Sequence, residues 1–148
     1  MKKTLRFTET IHAPAARVWD TMLAPDAYEA WTAEFCEGSR FEGSWSEGAK
    51  IRFLGPDGHG MVAVIAANRP FAHLSIQHLG EVKNGVEDTT SAEVRAWAPA
   101  FETFDLTEVH GGTELCVTIE VVPASEVSMQ EAYPRALGKL RALCESLP

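Results

Sequence analysis

Basic charge is scarce in this sequence. The 148 residues include 13 Lys and Arg against 21 Asp and Glu, so the formal net charge is −8. Proteins bind nucleic acid mainly by placing Lys and Arg against phosphates, and anionic membranes attract basic clusters in the same way. We therefore expect neither a nucleic-acid partner nor a membrane partner, and we interpret the acidic charge as a contribution to solubility.

Cysteines and long apolar runs are also scarce. The three cysteines, Cys36, Cys116 and Cys144, are far apart and form no CxxC pair, which predicts buried thiols in a reducing compartment. No stretch approaches the roughly 20 apolar residues that a membrane-spanning helix needs, and residues 1–7 lack the apolar core of a signal peptide. These features predict a cytoplasmic protein, and the length predicts one domain over residues 1–148.

Motifs for metals, phosphates and covalent catalysis are missing. The five histidines show neither HxH nor HExxH spacing, so we expect no metal. The glycine-rich segment 55–60 lacks both GxGxxG and GK[ST], and its Pro-Asp-Gly sequence predicts a turn between strands. A GxSxG nucleophile motif is absent as well. We expect no bound cofactor.

Most of the chain alternates between apolar and polar residues, as β-strands do. The alternation predicts a first strand at residues 4–11, and two short helices follow it, with start signals at Pro14 and Pro25. We interpret the polar segment 81–91 as an exposed loop. The remaining predicted strands are 40–45, 50–54, 61–67, 72–79, 101–109 and 113–122.

The end of the chain has the spacing of an amphipathic helix, which we expect from about Ser128 to Leu147. Ser128 and Glu131 fit a capping box, and Pro134 either kinks the helix or begins its main segment. Because a sheet and a helix must each bury one apolar face, the simplest α+β arrangement wraps an antiparallel sheet of about six to seven strands around this helix. The apolar positions of the helix are Met129, Tyr133, Leu137, Leu140, Cys144 and Leu147.

The order of elements and several short motifs resemble the START-like (helix-grip, SRPBCC) superfamily, and within it the branch homologous to the activator of a heat-shock-protein ATPase. The resemblance implies a helix-grip fold. It also implies ligand binding, as in other members of the superfamily, or a link to chaperones and the stress response. The matching residues are Ile11 to Pro14, Val18-Trp19, Trp31, Phe35 to Ser39, Trp45, Glu47-Gly48, Ile51 to Leu54, His78 to Gly80, Asn84 to Asp88, Gly112 to Leu115 and Leu137 to Glu145.

We expect a cavity between the sheet and the C-terminal helix, because a curved sheet and one helix often leave space that apolar ligands occupy. Aromatic residues on the surrounding elements and Leu137 are its candidate walls, and for each of them plain core packing is the alternative. The candidates are Trp31, Phe35, Trp45, Phe53, Phe104, Tyr133 and Leu137.

Two polar residues are predicted to point into the same space. Alternation places His78 on the face of Leu74 and Ile76, and it places Glu102 on the face of Phe104. Buried groups of this kind need partners. They could pair only with each other, orient a ligand, or act together in general acid–base catalysis.

Three functions therefore remain open from the sequence. The first is binding or sequestration of a small, largely apolar or aromatic molecule. The second is a protein-interaction module that resembles a co-chaperone. The third is an enzyme that uses acid–base chemistry on an aromatic or polyketide-like substrate.

Overall fold

The computed structural model describes residues 2–146, and its elements follow the predicted order, with two short additions that the sequence pattern did not predict, a strand at 86–88 and a helix at 92–95. They are β1 (Lys3–Ile11), α1 (Ala15–Leu23), α2 (Pro25–Thr32), β2 (Arg40–Gly43), β3 (Lys50–Leu54), β4 (Gly60–Arg69), β5 (His73–Lys83), β6 (Val86–Asp88), α3 (Ala92–Arg95), β7 (Ala100–Val109), β8 (Gly112–Val121) and α4 (Pro123–Glu145).

All eight strands belong to one antiparallel sheet. Its order is β1-β8-β7-β5-β4-β3-β2, and β6 pairs with β5 beside this path. The pairing of β4 with β5 is irregular at Val62/Ala63 and at Ile65/Ala67, and such bulges bend a sheet. The long helix α4 packs against β1 and against both α1 and α2. The predicted helix-grip architecture is confirmed.

One face of the sheet forms the main core with α4. On β8, Leu115 and Val117 are fully buried, whereas Glu114 between β1 and β7 is exposed. On α4 the buried positions follow helical spacing, as the sequence predicts. The buried residues of α4 are Ala132, Tyr133, Ala136, Leu137, Leu140 and Cys144.

The beginning of α4 differs from the prediction. The helix starts at Pro123, five residues before Ser128, because proline is well tolerated in the first turn, where its missing N–H has no partner to lose. Ser128 lies within the helix, and its hydroxyl donates to the Ser125 carbonyl, so it forms no capping box. Pro134 lies inside the continuous helix. The predicted last residue, Leu147, lies outside the described residues.

The segment predicted as an exposed loop, residues 81–91, is mostly a β-hairpin. Strand β5 continues to Lys83 and β6 pairs back onto it, with Val86 opposite Lys83. Asn84 and Gly85 connect the two strands with φ values of 52° and 78°. Both angles suit the tight turns that Asn-Gly pairs favour. The Asn-Gly pair was the signal for this hairpin, and the polar residues around it concealed the strands.

The cysteines differ from one another in burial. Cys144 on α4 is buried and Cys116 on β8 is half-buried, but Cys36 is exposed, so the prediction of a buried thiol was wrong there. Cys36 follows α2 in a non-repeating segment, where apolar neighbours in sequence do not determine which side faces the core.

Membrane-spanning helices and metal clusters are both absent from residues 2–146. Over this range no helix combines the length and apolar character that crossing a bilayer requires. No three His, Cys, Asp or Glu side chains of the described residues are grouped so that they could hold a metal ion.

Candidate functional site

A carboxylate on the core face of the sheet has hydrogen-bond partners on two other elements. Glu102 on β7 lies 3.0 Å from His78 on β5, measured from Oε1 to Nε2. Its second oxygen, Oε2, accepts a hydrogen bond from the Tyr133 hydroxyl on α4. We place a proton on Nε2 of His78, because an ionised carboxylate can only accept a hydrogen bond. We call Glu102, His78 and Tyr133 the polar triad.

Strand register explains why the two sheet residues meet. Ile76 is opposite Glu102, and His78 is opposite Ala100. His78 and Glu102 are therefore diagonal neighbours on one face, within reach of long side chains. The sequence predicted this face correctly. Only the fold of α4 across the sheet adds Tyr133 to the pair.

The negative charge of Glu102 affects both tyrosines of the chain. Burial raises the pKa of Tyr133 well above its usual value, and the neighbouring carboxylate raises it further. Burial and the charge of Glu102 also raise the pKa of Tyr28, which reaches the same region from α2. Both hydroxyls thus remain protonated at neutral pH, and Tyr133 can act as a donor to Glu102.

These shifts predict a base-sensitive fold. In the unfolded chain the tyrosines ionise near pH 10, whereas the folded chain holds both protons to higher pH, so stability is retained below about pH 10 and lost above it. Because Tyr28 and Tyr133 are the two tyrosines of the sequence, the tyrosinate absorbance in an alkaline titration reports on them alone. We expect this absorbance to rise together with the loss of circular dichroism.

Urea-unfolded protein is the reference for this titration and should ionise near the usual tyrosine pKa. The Tyr133→Phe variant should give about half the tyrosinate signal, because one tyrosine remains. A tyrosinate signal that develops near pH 10 while the fold is intact would contradict the raised pKa values.

Four half-buried aromatic residues lie next to the polar triad, and we call them the open aromatic group: Tyr28, Phe41, Trp45 and Phe53. The ring centroids of Tyr28 and Phe41 are 5.1 Å apart, and those of Trp45 and Phe53 are 5.8 Å apart. Phe53 also contacts the His78 ring, with a centroid distance of 5.6 Å. The group therefore connects the protein surface to the polar triad.

Most of the remaining predicted wall residues are buried. Trp31, Phe104 and Leu137 are buried members of the main core. Half-buried Phe35 packs against the Tyr133 ring at a centroid distance of 4.8 Å. The structure thus divides the predicted wall into a buried part, which includes Tyr133, and a half-buried part, which contains Phe35, Trp45 and Phe53.

Sequence reasoning missed three aromatic members of this region. Phe7 on β1 stacks on Tyr133 at 4.9 Å, and Tyr28 and Phe41 belong to the open aromatic group. Tyr28 precedes Trp31 by three residues, so helical spacing within α2 was the available signal. For Phe41 the signal was its alternation with Trp45.

Two tryptophans fix the end of α1 beside this region. The indole nitrogen of Trp31 donates to the Met22 carbonyl at 3.1 Å, and that of Trp45 donates to the Leu23 carbonyl at 3.2 Å. The last carbonyls of a helix have no partner within the helix. The two indoles therefore supply partners that hold α1 next to α2 and the β2–β3 segment.

Two open surface grooves lie elsewhere. One is lined by residues between β1 and α1 and by the β7–β8 hairpin, including His12 and Glu108. The other includes Gln77, Thr89 and Pro99. Neither groove includes a predicted site residue, so the polar triad and the open aromatic group remain the candidate site.

Comparison with known families agrees with this architecture. Residues 12–145 match the family described as "Activator of Hsp90 ATPase homolog 1-like protein". The chain belongs to this family. The match begins immediately after β1 and includes the polar triad and all four residues of the open aromatic group. A comparison with curated proteins gave no match.

Solved structures with the same fold have low sequence identity to the chain. A protein from Mesorhizobium loti superposes with a TM-score of 0.75 at 16% identity over 99% of both chains. One from Rhizobium leguminosarum gives 0.72 at 19% identity, covering 99% of this chain and 97% of its own. A protein of the dynemicin biosynthetic locus gives 0.70 at 16% identity, covering 96% of this chain and 47% of its own. At such identities the likeness concerns the fold.

Proposed function

We propose that the protein binds a small, largely apolar molecule between the sheet and α4. The observation that carries this proposal is the polar triad beside a half-buried aromatic group. Binding sites for small molecules combine apolar walls with a few convergent polar groups. Among the described residues, this combination occurs where β5, β7, α2 and α4 meet.

The aromatic rings of the site contact one another, so a ligand can enter only if some of them move apart. The open aromatic group supplies this movable side. Phe41 belongs to β2, a four-residue strand at the edge of the sheet, and Trp45 lies in the segment between β2 and β3. Short edge elements open at lower cost than central strands. A ligand would enter by separating these rings and would replace their mutual contacts with its own.

The comparisons support this proposal at the level of the fold. A structural neighbour is encoded in a biosynthetic locus for dynemicin, which fits a fold that handles organic molecules. The family description refers to an activator of the Hsp90 ATPase, so a chaperone-directed role is the second candidate. Stimulation of Hsp90 ATPase activity by this chain, without uptake of any apolar probe, would favour that second role.

The test is uptake of N-phenyl-1-naphthylamine, a neutral apolar probe whose fluorescence rises in apolar surroundings. We expect the wild-type protein to bind the probe. Replacing Leu137, a core-facing residue of α4, with tryptophan should fill the site and abolish uptake with little loss of stability.

Leu140→Trp is the matched control, because Leu140 is also fully buried and lies about one turn further along α4. There the larger ring should overpack the core and cost about 1–3 kcal/mol. Unchanged probe binding by Leu137→Trp, or a stability loss equal to that of Leu140→Trp, would favour a purely structural core.

A further inference from the structure

One polar atom at the candidate site has no partner. The Nδ1 atom of His78 is buried and forms no hydrogen bond, although Nε2 of the same ring pairs with Glu102. Only 5% of the His78 surface is exposed. Buried polar atoms are nearly always paired, and an exception in a folded protein calls for an explanation. Since Nδ1 lies beside the proposed binding site, a ligand is a candidate partner.

We infer that the ligand is a neutral aromatic molecule with a hydroxyl group, of the phenol type, and that this hydroxyl pairs with Nδ1 of His78. The inference rests on the proposed function and adds the ligand's chemical class to it. A hydroxyl both donates and accepts hydrogen bonds. It therefore satisfies Nδ1 whether this atom carries a lone pair or a proton.

The charges around the site favour a neutral ligand over an anionic one. Glu102 supplies a carboxylate next to His78, and no Lys or Arg is among the buried polar residues of the described chain. A ligand carboxylate or phosphate would approach Glu102 without a compensating cation and would lose its hydration. A phenol loses much less on leaving water.

The surrounding side chains favour an aromatic ligand. The His78 ring meets Phe53 edge to face, and Phe53 lies within a group of three other half-buried aromatic residues. Aromatic rings prefer offset and edge-to-face contacts with one another. A planar ligand ring that enters among these residues can repeat those contacts and bring its hydroxyl to His78.

The test compares 2-naphthol with 2-methylnaphthalene. The two molecules are similar in size, and the second carries a methyl group where the first carries its hydroxyl. Both are measured at neutral pH by displacement of N-phenyl-1-naphthylamine from the wild-type protein. We expect 2-naphthol to bind about tenfold more tightly or better. The ¹⁵N resonance of His78 Nδ1 should shift on adding 2-naphthol and stay in place with 2-methylnaphthalene.

His78→Gln should lower the ratio of the 2-naphthol affinity to the 2-methylnaphthalene affinity toward one, because a glutamine amide that donates to Glu102 leaves no imidazole Nδ1 for the hydroxyl. The matched control is His73→Gln. His73 is on the same strand, pairs with Asp105 at 2.6 Å and faces away from the core, so its replacement should preserve the preference. If His78→Gln does not fold, the ¹⁵N measurement on the wild-type protein tests by itself whether the hydroxyl pairs with Nδ1.

The outcomes separate this inference from the proposed function. Equal affinities for the two compounds, with an unmoved Nδ1 resonance, would overturn the hydroxyl inference and leave apolar binding intact. Failure of the probe and of both compounds to bind would overturn the proposed function and this inference together.

Discussion

Replacing Glu102 with alanine is expected to lower the free energy of unfolding by about 3–5 kcal/mol, because two donors lose their acceptor and each unsatisfied buried group costs about 1–3 kcal/mol. Glu102 accepts from both His78 and Tyr133. Its loss leaves Nε2 of His78 and the hydroxyl of Tyr133 unpaired beside a histidine Nδ1 that already has no partner. Urea unfolding followed by circular dichroism measures the effect.

Two variants calibrate this measurement. Glu102→Gln keeps an acceptor near both donors and should lose less stability than Glu102→Ala. Glu108→Ala changes an exposed glutamate on the same strand and should stay within about 0.5 kcal/mol of wild type. If Glu102→Ala were as stable as Glu108→Ala, the polar triad would contribute nothing to the fold.

Truncating Trp31 to alanine is expected to cost about 3–5 kcal/mol, the range for large aromatic residues in cores. Trp31 is 3% exposed, and its indole pairs with the Met22 carbonyl. The substitution therefore leaves a cavity and a helix end without its partner. Thermal and urea unfolding of the variant give the loss.

Trp45→Ala is the comparison that separates a core residue from a movable wall. Trp45 also donates to the end of α1, but it is half-buried. We expect a smaller loss, about 1–2 kcal/mol, together with altered uptake of N-phenyl-1-naphthylamine. Equal losses for the two variants would indicate that Trp45 is part of the rigid core and would count against entry through the open aromatic group.

The candidate site was partly predictable, because its sheet residues follow a simple rule. Alternation by two along β5 and β7 is enough to place His78 and Glu102 on the core face. The spacing of three and four along α4 places Tyr133 and Leu137 on the face toward the sheet. Each of these predictions depends on residues within one element, where the backbone repeat determines which side chains share a face.

Contacts between elements could not be predicted from the spacing of residues within one element. The hydrogen bond from Tyr133 to Glu102 depends on how far α4 lies along the sheet, and the stacking of Phe7 on Tyr133 depends on the placement of β1 beside β8. Which aromatic residues are buried and which are half-exposed depends on the edge position of β2. Local spacing contains no information about these distances.

The sequence by itself determined the order of nearly all the elements and the apolar face of each long one, because those features repeat with the period of the local backbone. The helix-grip fold followed from the resemblance to the START-like superfamily and from the need of a sheet and a helix to bury one apolar face each. Tertiary structure decided the beginning of α4 at Pro123, the pairing of β6 with β5 and the exposure of Cys36. It also decided that Glu102 has two partners while Nδ1 of His78 has none. These outcomes depend on packing between residues distant in the chain, where the burial of one group limits the partners left to the next.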